Sequence, residues 1–324
     1  MTTTLEPTAE PAVSEPVTID RPQWGTVCGV SSAIFYTLAH ISLRRVVHVD
    51  PILVSAVKSV PSVIVGGLVA VWFISRSRRL LSQPRDLVPI AAAACFAHLA
   101  GNGLFQWALG VLGMAIGVPV TLGSLLVGSA INGRLFLAET VSRKMAISTT
   151  IVILSIVILS RGSDSAAASM NHAEPSSLAV QLLALGAFCV AGFAYSTLGA
   201  AVRFTGSRGM SVPLTMLVSG LVGVILMGSI SWWQHPLHYF TQQVSAYDWA
   251  HMSWAALSNV CAFLSIILAL HFTRLLHVNL LNAAQAAFAA IAGVCLFQEP
   301  LSGSLIAGVL LMAAGFAYAS RPSA

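Results

Sequence analysis

Ten apolar runs, each close to twenty residues long, leave this chain little choice of solvent. They cover about 24–43, 52–74, 87–109, 114–133, 144–160, 177–202, 212–233, 249–270, 278–297 and 301–319. A helix needs ~20 apolar residues to cross the ~30 Å hydrocarbon layer of a bilayer. Backbone N–H and C=O groups in lipid must be paired inside the segment, so runs of this length read as helices. Barrel strands would alternate apolar and polar residues over about ten positions, and these runs do not. Only 8% of the 324 residues are charged, 56% are hydrophobic, and mean hydropathy is +0.84. Soluble globular chains carry roughly 25% charged residues. Too few charges are present to coat a soluble core of this size, which argues against a cytosolic enzyme or a nucleic-acid binder. The expected fold class is an all-α integral membrane protein with ten transmembrane helices.

Loop charges set the orientation. With the N-terminus inside, twelve Lys and Arg fall in cytoplasmic segments and three, Arg44, Arg45 and Arg161, fall outside. Lys58 is the one basic residue left within a span. A missed span would flip the parity of later loops and blur this bias. Both termini are therefore expected in the cytoplasm. Residues 1–23, rich in Thr, Glu and Pro, read as a disordered cytoplasmic tail. Residues 161–176, rich in Ser and Ala, read as an extracytoplasmic linker between halves at 24–160 and 177–320.

The halves repeat. LFLAETVS (Leu135–Ser142) aligns with CLFQEPLS (Cys295–Ser302), placing Glu139 over Glu299 and Ser142 over Ser302. Tyr36 aligns with Tyr195 and Arg44 with Arg203 at nearly the same offset. A five-helix unit crosses an odd number of times, so its second copy enters the membrane upside down. Two inverted five-helix repeats are expected, an arrangement of secondary transporters with a midplane site.

With these blocks and Lys58, most of residues 24–320 resembles the ten-helix, EamA-type branch of the drug/metabolite transporter superfamily. The resemblance implies an exporter of metabolites, amino acids or drugs in the bacterial inner membrane. One departure is visible. The family often carries a Pro about fifteen residues before the block Glu, where this chain has Ser124 and Ala284.

Ionisable and strongly polar groups inside spans are expensive and mark function. His98, Asn102 and Gln106 recur every four residues and should share one helix face, one wall of a polar cavity. Lys58 either enters that cavity or snorkels to the interface. Asn282 and Gln285 share a face of the ninth run, and Tyr36, Trp107 and Tyr195 could supply aromatic walls. His40 is a candidate for either structure or ligand contact. Asn259 reads as packing, and Thr121, Ser124, Gly128 and Asn132 as a close helix contact. Glu139 and Glu299 suit the capping of the next helix's N-terminus.

Five cysteines show no CxxC or Cys/His spacing, and His235, His238 and His251 are irregularly placed, so no metal site or cofactor is expected. No GxSxG, no HExxH and no intramembrane carboxylate pair speaks for an enzyme. Without an acid deep in any span, a lipophilic cation is a poor substrate. The expected substrate is a small carboxylate, a zwitterion such as an amino acid, or a neutral polar solute. It would move by alternating access, with a proton at His98 as candidate coupling ion. An uncoupled facilitator or a drug exporter of the same fold is the alternative.

Overall fold

The computed structural model describes residues 22–161, 177–297 and 303–320. Glu299, Ser302, the linker and nearly all of the N-terminal tail lie outside them. Among the described residues the chain is helical, with no strand. The helices are α1 Pro22–Arg44, α2 Pro51–Ser75, α3 Leu87–Phe96, α4 Leu104–Leu137, α5 Arg143–Arg161 and α6 Leu178–Ser207. They continue with α7 Val212–Gln234, α8 Ala246–Phe272, α9 Leu275–Asn282, α10 Gln285–Phe297 and α11 Gly303–Ser320. Seven stretches among the described residues are long and apolar enough to cross a membrane: 23–44, 51–75, 84–112, 117–137, 178–207, 212–234 and 246–272. The chain is a multi-pass α-helical membrane protein.

Local chemistry explains the boundaries. Asp50 accepts the Leu53 N–H at 2.9 Å and Pro51 opens α2, the position where a missing N–H costs nothing. Ser245 and Asp248 form a reciprocal capping box at the start of α8. Ser142 accepts the Met145 N–H at 3.2 Å at the start of α5.

Two irregularities are invisible in the apolar pattern. α3 runs on into α4 through a π-helical stretch, Ala97–Gly103. The run expected to be continuous over 278–297 is broken between α9 and α10, where the Ala284 N–H bonds the Leu281 carbonyl and the Ala286 N–H that of Ala283. These tight contacts keep backbone groups paired through the break.

The helix Leu104–Leu137 does not run straight: the chain folds back inside it. A Cβ added at Gly101 would stand 2.7 Å from the Tyr195 ring, and one at Gly128 would stand 3.1 Å from Ser196. A straight helix would hold those glycines about 40 Å apart at ~1.5 Å per residue. Tyr195 and Ser196 are neighbours, so the chain reverses between them. Phe105 and Gly117 both meet Phe188, which places the reversal between those two residues.

Interhelical bonds sort the loops into two ends. At one end the Ser211 N–H bonds the Leu80 carbonyl at 2.9 Å, Arg208 pairs with Asp86 at 2.8 Å, and Arg203 pairs with Glu139. Gly25 adjoins Thr273 at the same end. At the other, the Asp50 N–H bonds the Tyr239 hydroxyl at 3.0 Å and His48 meets Asp248 at 3.0 Å. The first end gathers the loops that carry Arg76, Arg78, Arg79, Arg85 and Arg274, and is the basic one.

Candidate functional site

Helices α1, α2, α4 and α6 to α10, with the π-helical stretch, line a cavity of about 130 Å³. Lys58 projects into it from α2, three residues before Pro61, and is 7% exposed. Its Nζ donates to Asn102 Oδ1 at 3.2 Å, so the ammonium turns inward rather than snorkelling to the interface.

That contact fixes the hydrogen atoms around it. An ammonium only donates, so the Asn102 atom it meets must be the oxygen. The same oxygen accepts the Tyr195 hydroxyl at 3.0 Å. Asn102 therefore turns its nitrogen to His98, and Nδ2 donates to His98 Nδ1 at 3.1 Å. His98 Nδ1 is then the acceptor, and the ring proton sits on Nε2, 3.0 Å from the Ser219 carbonyl. In this arrangement His98 accepts at Nδ1, and adding a proton there would set two donors against each other unless the Asn102 amide turns.

Seven of the nine residues singled out from sequence line the cavity: Tyr36, Lys58, His98, Asn102, Tyr195, Asn282 and Gln285. Gln106 and Trp107 are not among its lining residues. Gln106 is buried with Nε2 unpartnered, and Trp107 is 39% exposed on the outside of the bundle. Phe105 lines it instead: at i+7 from His98 it stands within about 20° of that residue's direction on a 3.6-residue helix, whereas Gln106 at i+8 stands about 80° away. Asn282 and Gln285 reach the cavity from either side of the α9–α10 break rather than from one helical face.

The wall holds more polar groups than expected. Asn259, read from sequence as packing, lines it, as do His40, Thr121 and Asn279. Asn279 Nδ2 donates to Ser129 Oγ at 2.7 Å, and its spacing of three from Asn282 within an apolar run was the available signal. Thr121 Oγ1 and His40 Nδ1 are buried without a partner. The other small-residue positions pack as expected. A Cβ at Gly128 would touch Phe193 and Ser196, and Asn132 bonds the Ser196 hydroxyl at 3.1 Å.

Below the cavity, at the basic end, Arg203 ties three elements together. It pairs with Glu139, and donates to the Thr273 carbonyl and to that of Leu270 at 2.8 Å. Glu139 Oε2 in turn accepts the Leu275 N–H at 3.2 Å. Glu139 does cap a helix N-terminus, but that of α9 rather than the next in sequence. Two lining residues, Val202 and Leu270, sit directly above this knot. Among the described residues no group of three or more His, Cys, Asp or Glu could hold a metal ion.

No family model matches the chain, and no curated protein does. A crystal structure described only as that of a protein is similar in fold, with a TM-score of 0.72. It covers 91% of this chain and 96% of its own at 15% identity, which carries the fold and nothing of function.

Proposed function

We propose that this protein is a secondary transporter that moves a small polar metabolite across the membrane by alternating access, with the Lys58 cavity as its site. The observation that carries the reading is a buried ammonium inside a cavity walled by most of the helices. A charge there costs at least ~2.5 kcal/mol, and a chain that only filled the bilayer would have no use for it.

We read the chain as ten membrane crossings in two inverted repeats, of the EamA-type branch of the drug/metabolite transporters. The crossing of α2 and α7 supports this. A Cβ at Gly66 would meet the backbone of Leu217, and one at Gly220 would meet the backbone of Val63. Each glycine lies three residues beyond the contact it receives on its own helix, as a two-fold axis between the helices requires. Tyr36 and Tyr195, which align between the repeats, both face the cavity. The fold-back within α4 and the sorting of loops into two ends fit the same count. The basic end then lies in the cytoplasm of a bacterial cell, and export is the direction proposed from the resemblance to EamA-type exporters.

The reading is tested on proteoliposomes loaded with a mixture of small metabolites, assayed by mass spectrometry for the solute that leaves. Asn259→Trp, which fills the cavity from α8, should stop that efflux. Efflux equal in protein-free liposomes, or unchanged in Asn259→Trp, ends the reading.

A further inference from the structure

The charges in and around the cavity do not balance. Among the described residues Lys58 is the one fixed cation lining it, and no carboxylate does. The described acids are spent at helix ends. Asp50 meets the Leu53 N–H and His235, Asp86 meets Arg208, Glu139 meets Arg203, and Asp248 meets His48. A buried charge without an opposite partner is unfavourable until something supplies one.

The hydrogen bonds lean the same way. Asn102 Oδ1 already accepts from Lys58 and Tyr195, and the Ser219 carbonyl faces His98. Those acceptors are occupied, whereas Lys58 has made one hydrogen bond of three. A second ammonium brought into this space would meet a like charge and, among the described residues, no carboxylate. An acid group would meet donors and the cation. The amides of Asn259 and Gln285 can each give and accept a hydrogen bond, and suit a hydroxyl or carbonyl on the rest of the molecule.

We propose that the solute of this cavity is a small organic anion carrying one acid group and no ammonium group, seated with that acid group on Lys58. This rests on the cavity being a transport site, and it narrows the substrate from carboxylates and zwitterions together to hydroxy- or oxo-acids and their like.

Two matched trios test it on the purified full-length protein, by thermal shift and calorimetry. One is lactate, alanine and lactamide. The other is 3-phenyllactate, phenylalanine and 3-phenyllactamide, since Phe105 and Phe263 also line the cavity. Within a trio the skeleton is constant and only charge changes. In at least one trio the anion should bind at least about tenfold more tightly than the zwitterion and the neutral amide, the scale of one charge-assisted hydrogen bond. Lys58→Met should erase that preference, and Lys58→Arg should keep the anion ahead of the amide. A zwitterion that binds as tightly as its anion, anion binding indifferent to Lys58→Met, or no binding by either anion overturns the proposal. The wild-type ranking decides alone if Lys58→Met does not fold. Counterflow of the same compounds into proteoliposomes separates the two claims. Anion binding without flux ends the transport reading and leaves the charge assignment, while flux led by a zwitterion does the reverse.

Discussion

Gly192→Ala is expected to lower the melting temperature of the detergent-purified protein more steeply than a methyl group added at other glycines of α6. The new Cβ would lie 2.2 Å from the Thr121 carbonyl oxygen and 2.8 Å from the Leu125 nitrogen. Both are backbone atoms of the facing helix, so no rotamer change can make room. Helices in lipid gain little from the hydrophobic effect against one another, and small residues matter because they let backbones approach. Forcing a methyl group into a packed contact costs ~1–3 kcal/mol, and more where the backbone cannot yield. Gly186 on the same helix is the control. A Cβ there meets nothing within 4 Å. Gly186→Ala should hold or raise the melting temperature, since Ala is favoured over Gly in a helix by roughly 0.5–1 kcal/mol. Equal melting temperatures for the two variants would mean that α4 and α6 do not meet as described.

The second large effect concerns the knot at the basic end. Arg203→Met leaves Glu139 with only the Leu275 N–H, and strands the Leu270 and Thr273 carbonyls. Glu139→Gln leaves a guanidinium without its anion. Removing one partner of a fully buried ion pair costs about 3–5 kcal/mol, and removing both costs far less than the sum. The side chains here are 18% and 11% exposed, so the cost should fall toward the lower part of that range. The double variant should melt above the less stable single variant. Strict additivity across the cycle would show that the pair contributes nothing at this end.

Much of this was legible in the apolar runs, because a chain dissolved in lipid has few ways to satisfy its backbone. The ends of α1, α2, α7 and α8 follow from run length, Pro51, Ser245 and the basic loops. Lys58, His98 and Asn102 announced themselves as expensive residues in spans, and they do bond to one another. Gln106 was placed by counting fours from His98, and that count drifts about 80° by the eighth residue of a 3.6-residue helix, so Gln106 turns from the cavity wall. What periodicity could not carry was any departure from 3.6 residues per turn, and the π-helical stretch Ala97–Gly103 was hidden. The break at Ala283–Ala284 was hidden likewise, since alanine is a good helix former and the residues at the break carry no helix-ending signal. Asn259 looked isolated in sequence because its neighbours across the cavity lie on other helices.

The account stands most directly on one measurement, the labelling of Ser62→Cys in a background without the five native cysteines. Ser62 is 4% exposed and lines the cavity from α2. In right-side-out and in inverted vesicles alike, a membrane-impermeant thiol reagent should reach this cysteine, because the cavity opens to each side in turn. Trp107→Cys, on the outer surface of the bundle, should react from neither. A Ser62→Cys that reacts from one side only, or from neither, would contradict alternating access through the Lys58 cavity.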